Sequence, residues 1–255
     1  MSIPRVVHMD KDPGFSEWLA ETMRLRGLGD QLPSRMYKFL SPESKFFSST
    51  MQEIMLNSRV RLSCRSEFND PFDTSFGLEE PDSRIISSFL QGISTRQGNF
   101  SALPDEYIQG AASNPSAFKV KAHASISESL DRFGIFSMTE SIAQPLMWAH
   151  YGCSHRGIAL VFRHALSENS LGGFPIRYQD EYPRSTLAPE GIEIIHVFVK
   201  GRAWEYEKEW RLVYGNRARE WLDIPPASLV GWCSAFTQSN RPMTVSLNWP
   251  SNGGN

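Results

Sequence analysis

Between Trp204 and Leu212 the chain reads Trp-Glu-Tyr-Glu-Lys-Glu-Trp-Arg-Leu. Successive side chains of a strand point to opposite faces, so this stretch divides into two chemically opposed sides. Tyr206, Trp210 and Leu212 share one face, interrupted by Lys208, while Glu205, Glu207, Glu209 and Arg211 share the other. Aligned carboxylates repel one another, and a sheet tolerates them only where cations or a ligand answer them. The pattern predicts a strand with an aromatic side on the core and an acidic side on a cleft. The alternative is a solvated stripe of ion pairs.

The rest of the chain supplies partners for such a strand. Arg35–Leu40 looks like a first strand, and Arg59–Cys64 alternates polar and apolar residues, as half-buried strands do. Gly134–Met138 reads as a buried strand, and the continuous apolar run Ile158–Phe162 suits one buried on both faces. Ile192–Val199 is strand-like, and a last strand pair is expected at 228–236 and 243–247. Helical patterns occupy 14–27, 48–57 and 141–152, the last with Pro145 in its first turn. These elements predict an α+β fold with a mixed, mainly antiparallel sheet core. Residues 1–33 read as an N-terminal helical extension, 34–249 as one domain, and 250–255 as a disordered tail. Within the domain, 79–130 reads as a helical insertion with helices near 84–91 and 117–130.

Composition bounds the function only loosely. A chain of 255 residues with 40% hydrophobic and 21% charged residues suits an ordinary globular protein, and a net charge of -2 carries no global signature of nucleic-acid binding. Cys64, Cys153 and Cys233 are scattered, which indicates neither a zinc site nor a disulfide framework. There is no signal-like N-terminus and no apolar run near the roughly 18 residues that span a bilayer. The expectation is a cytoplasmic protein without membrane contact.

Three constellations carry chemistry. A Glu-x-Glu pair on one strand face places Glu207 and Glu209 within about 7 Å of each other. Phe68-Asn69-Asp70-Pro71-Phe72-Asp73 is a polar turn between two phenylalanines. Its oxygens could bind a sugar or metal, although Asx-turn hydrogen bonds alone account for it. In Met147–Gly157, Trp148 and Tyr151 share a helix face, which suits stacking on a ring or simple core packing, and His155 stands at a loop edge. No Gly-rich phosphate loop is present, and Tyr206 replaces the carboxylate of the Asp…Glu-x-Lys nuclease pattern.

Several of these landmarks occur together in an order that resembles a known family. They are Tyr37-Lys38-Phe39, the 68–73 run, Ser137, Met147-Trp148-x-x-Tyr151, His155-x-Gly157 and Trp204-x-Tyr206-Glu207-Lys208-Glu209-Trp210-Arg211. Together they resemble the prokaryotic domain-of-unknown-function family 2971 over residues 36–214. The layout also has a weaker, fold-level resemblance to ADP-ribosyltransferases, whose core is a split sheet. That resemblance implies NAD as co-substrate and a macromolecular target, protein or nucleic acid, in an enzyme suited to a toxin or phage-defence role. It implies catalytic roles for Glu209, Glu207, Tyr37 and His155. It also implies cofactor contacts from Tyr37, Ser63, Asn69, Asp70, Trp148, Tyr151 and Arg156. Two rival expectations stand beside it. One is a metal-dependent nuclease or phosphodiesterase using Asp70, Asp73, Glu207 and Glu209. The other is a binding module whose glutamates pair with Arg61, Arg156 or Arg211.

Overall fold

A computed structural model describes residues 13–29, 32–70, 72–96, 103–164, 171–187, 194–235 and 243–245. The chain opens with α1 (Pro13–Leu25), β1 (Arg35–Leu40), α2 (Phe47–Asn57), β2 (Arg59–Arg61) and β3 (Gly77–Leu78). Three helices follow: α3 (Ser83–Arg96), α4 (Asp105–Ala112) and α5 (Pro115–Asp131). Next come β4 (Gly134–Thr139), α6 (Pro145–His150), β5 (Ile158–Arg163), β6 (Phe174–Pro175), β7 (Arg177–Gln179) and β8 (Arg184–Ser185). The chain then forms β9 (Val199–Gly201), β10 (Glu209–Tyr214), β11 (Trp221–Asp223), β12 (Leu229–Ser234) and β13 (Met243–Val245).

Seven strands form one antiparallel sheet in the order β13-β12-β5-β1-β4-β10-β6. Three small pairs surround it: β11 with β2 antiparallel, and β3 with β8 and β7 with β9 parallel. This is the expected α+β class with a mainly antiparallel core. The expected tail at 250–255 lies outside the described residues.

Alternation along the strands assigns each face its work. Met36, Phe136, Met138, Leu160, Phe162, Trp210 and Leu212 turn to one side, where Ile54 of α2 and Val60 and Leu222 of the β2–β11 pair complete the core. The other face carries two separate apolar clusters. Over β4 and β10, Ile135 and Val213 meet Phe15 and Trp18 of α1 together with Val197, Phe198 and Val199. The helix expected as an extension is thus part of the core. Over β1 and β5, Phe39, Ala159 and Val161 meet Met147 and Trp148 of α6. Between these two clusters the sheet face is polar.

The sheet is also interrupted there. β1 pairs with β5 at six positions but with β4 at one, Tyr37 opposite Thr139. At the other end of β4, Ser63 takes over, exchanging both backbone hydrogen bonds with Ile135 at 2.7 and 2.8 Å. Ser137 lies between these two attachments, and its carbonyl accepts from Lys38 Nζ at 2.9 Å. An ammonium group fills a notch where a strand neighbour would stand.

Four local expectations change. The Glu-rich stretch is not one strand: Arg202–Glu207 is a 3-10 helix, Lys208 is left-handed (φ 46°, ψ 48°), and β10 begins at Glu209. Residues 194–198 are likewise a 3-10 helix, with β9 starting at Val199. α6 begins at Pro145, after Gln144 caps it, so the helix expected from Ser141 is shorter. The insertion contains a third helix, α4, and has its own core of Phe76, Ile86, Phe89, Ile108 and Leu130. The Ser, Gly and Asn scattered near α4 obscured its short apolar stripe.

Candidate functional site

A cleft of about 230 Å³ opens at the notch, on the polar band between the two apolar clusters. Tyr37 and Lys38 of β1, Ser63, Asn69 and Ser137 line it, with Tyr151 after α6 and Asp73, Lys200, Glu207, Glu209 and Arg211 at its charged end. Glu209 and Arg211 project from β10 on the same sheet face as Ser137, because Arg211 is registered with Ser137 and Glu209 with Thr139.

The charged end is a closed network. Arg211 Nη2 donates to Asp73 Oδ2 at 2.6 Å, its Nε to Glu209 Oε1 at 2.7 Å, and its Nη1 to the Val197 carbonyl at 2.8 Å. Lys200 Nζ reaches Glu207 at 2.5 Å, Glu209 at 3.1 Å and Asp73 at 3.3 Å. All five side chains are buried. Three carboxylates therefore share two cations, and the deficit falls on Glu207. Burial and the Glu209 charge push its carboxyl up to about 7, against the pull of Lys200. Burial alone would raise Glu209 too, but Arg211 and Lys200 outweigh it and hold that carboxyl well below the usual range. One carboxyl of the pair stays ionised while the other exchanges a proton near neutrality.

Tyr151 completes the wall, donating to Glu207 Oε1 at 2.6 Å and accepting from Asn69 Nδ2 at 3.0 Å. Burial and the Glu207 charge raise its phenol, so it remains a donor. The two lysines at the cleft differ sharply. Lys200 is locked as a cation by three carboxylates: burial alone would lower it, yet Glu209 and Asp73 lead a net rise. Burial lowers Lys38 to about 8, with Glu209 and Glu207 only partly restoring it.

The structure thus brings together Tyr37, Ser63, Asn69, Tyr151, Glu207 and Glu209 from the expected set. Four expected residues stand elsewhere. Trp148 is core: its indole donates to the Ile142 carbonyl at 2.8 Å and its ring packs edge-on to Phe39. Asp70 is half-buried and caps its own turn, accepting from Phe72 N at 2.9 Å. His155 is an exposed turn residue at φ 67°, and Arg156 pairs with Glu43 at 2.7 Å on the surface. The tight turn after α6 leaves both exposed and outside the cleft lining. Of the two phenylalanines expected to clamp the 68–73 turn, Phe68 lies under Arg211, at 5.1 Å from ring centre to guanidinium, but Phe72 is exposed. Glu205 is also superficial, paired with Arg202.

The point on which Asp73, Glu207 and Glu209 converge is held by the Lys200 ammonium. Among the described residues no group of three or more His, Cys, Asp or Glu side chains is placed to hold a metal ion. The binding-module expectation required glutamates buried in ion pairs without a cleft; the ion pairs are present, with Arg211 rather than Arg61 or Arg156, and a cleft stands beside them. Sequence reasoning gave no role to Lys200 or Lys38. The signal for Lys200 was a single cation ending the apolar run Val197-Phe198-Val199, four residues before the acidic segment begins at Trp204.

Residues 147–212, which hold the end of α6, Lys200 and the carboxylate pair, match the family model described as Protein of unknown function (DUF2971). This is the family that the landmarks resemble; the match takes in those at 147–157 and 204–211, and Tyr37-Lys38-Phe39, the 68–73 run and Ser137 lie outside it. No curated protein and no solved structure matches the chain. No helix among the described residues is long and apolar enough to cross a membrane.

Proposed function

We propose that the cleft is the active site of an ADP-ribosyltransferase-like enzyme that uses NAD to modify a macromolecule. One observation carries the reading. Two neighbouring carboxyls have protonation equilibria driven apart by their surroundings, Glu207 to about 7 and Glu209 well below its usual range. Such separation is how paired carboxyls acquire distinct acid–base roles.

Cleaving the bond between nicotinamide and ribose develops positive charge at the anomeric carbon. Glu209, permanently ionised on the cleft floor, is suited to stabilise that charge. The acceptor loses a proton as it bonds to the anomeric carbon, and Glu207 is the group able to take it up near neutrality. Tyr151 orients Glu207 through its 2.6 Å hydrogen bond. Tyr37 and Ser63 offer hydroxyls to the ribose and carboxamide, while the Ser137 side chain hydrogen-bonds Glu209. A volume of about 230 Å³ is below the ~300–1,000 Å³ usual for whole small-molecule ligands, so the cleft suits the nicotinamide-ribose end, with the remainder toward the open side. Asp70, Trp148, His155 and Arg156 have no part in this reading.

Binding is the first test. Titrating NAD into the purified full chain should raise its thermal midpoint, by the mass-action stabilisation a native-state ligand confers. Tyr37→Phe should weaken that rise. An unchanged midpoint at millimolar NAD sinks the reading.

A further inference from the structure

The second lysine of the cleft is not explained by the charge network. Arg211 and Lys200 make the ion pairs of Asp73, Glu207 and Glu209, and Lys38 forms no ion pair among the described residues. Its nitrogen instead donates to the Ser137 carbonyl at 2.9 Å and lies 5.1 Å from the centre of the Phe136 ring. It enters the notch where β1 has parted from β4, half-buried and lining the cleft. It is therefore held by a backbone carbonyl and not by a carboxylate.

From this placement we infer that Lys38 is a reactive amine that captures small carbonyl compounds in the cleft as imines. The nitrogen lone pair forms a bond to the carbonyl carbon, the carbonyl oxygen leaves as water after gaining two protons, and a carbon–nitrogen double bond remains. No oxidant or metal is required. The chemical class is a small aldehyde or ketone, including the open-chain form of a sugar, with the hydroxyls of Tyr37 and Ser63 lining the same cleft to receive its polar substituents. The two protons that the oxygen gains are the two that the nitrogen gives up, carried across by water. The proposal does not rest on the NAD reading, because capture needs the amine and the cleft alone.

The surroundings agree. Burial depresses Lys38 to about 8; Glu209 and Glu207 raise it in part, and Arg211 and Lys200 lower it further. An amine near 8 is about one quarter neutral at pH 7.5, against about one thousandth for an ordinary lysine. Only the neutral amine attacks a carbonyl. Lys200 shares the cleft but stays charged, so it is an internal control.

The test is reductive trapping on the intact protein. The full chain is treated with glycolaldehyde and cyanoborohydride between pH 6 and 10, and each lysine is followed by peptide mass spectrometry. Lys38 should label about tenfold faster than Lys119 and Lys121 at pH 7.5, with a midpoint near pH 8, while Lys200 stays unlabelled. In Glu207→Gln the Lys38 midpoint should fall below that of wild type, because a carboxylate that favours the ammonium has gone. Labelling of Lys38 no faster than Lys119 and Lys121, or with their alkaline midpoint, overturns the inference. Failure of NAD to bind leaves it standing, so the two proposals fail separately.

Discussion

At the residue scale, Glu207 and Glu209 are two residues apart and do opposite things. Glu209 pairs with Arg211 and Lys200 together, so replacing it takes one carboxylate from each of two buried cations. Glu209→Gln should cost about 3–5 kcal/mol in denaturant unfolding, the range for breaking a buried pair from one side. Glu207 is the carboxyl left short of charge, and Glu207→Gln mimics its protonated form. It should cost no more than about 1–2 kcal/mol. The pH dependence separates the two further. A carboxyl raised in the folded state binds its proton more tightly there, so Glu207 contributes stability at acid pH that is lost as pH rises from about 4.5 to about 7. Glu209, depressed, contributes stability above its unfolded value that is lost as pH falls below it. Glu207→Gln should therefore gain on wild type between pH 5 and pH 8. A parallel pH profile for the two proteins contradicts this assignment.

At the element scale, the device that brings both glutamates to one cleft is the left-handed Lys208 between a 3-10 helix and β10. A β-branched residue pays heavily in that conformation and glycine does not. Lys208→Val should destabilise by roughly 2 kcal/mol or more, and Lys208→Gly should stay within about 1 kcal/mol of wild type. Equal effects would mean a continuous strand through 208. Alternation in Trp204–Leu212 correctly placed Glu209 and Arg211 together and opposite Trp210 and Leu212, because those four do lie on β10. It misassigned Glu205 and Glu207 because a period of two cannot signal a single positive-φ residue, and lysine is no marker for one. β1 was legible at both ends, Arg35 to Leu40, since its alternating side chains meet apolar surface on both faces of the sheet. The 3-10 helix at 194–198 was not, because an apolar run of that length serves a short helix as well as a strand.

At the scale of the whole molecule, the site exists because two apolar clusters on one sheet face do not merge. α1 covers β4 and β10, α6 covers β1 and β5, and the uncovered band between them is where β1 separates from β4. The sequence carried both covering helices and all the strands flanking the notch. It did not carry the separation itself, which depends on Ser63 claiming the end of β4 through backbone hydrogen bonds that any residue could make. For the same reason Asn69, Tyr151 and the carboxylates could be nominated from their types, whereas the exclusion of His155 and Arg156 required the direction of a turn. The helical insertion α3–α5 has a core of its own and stands outside the cleft.

The central claim, that this cleft breaks the nicotinamide–ribose bond with Glu207 as proton acceptor, is tested by measuring nicotinamide release from NAD across pH 5–9. Water acts as acceptor in the absence of a target. Wild type should release nicotinamide at a rate that rises through pH about 7. Glu207→Gln should reduce the rate by about 10²-fold or more while the thermal shift with NAD persists. No release by wild type, or equal release by Glu207→Gln at every pH, contradicts the account.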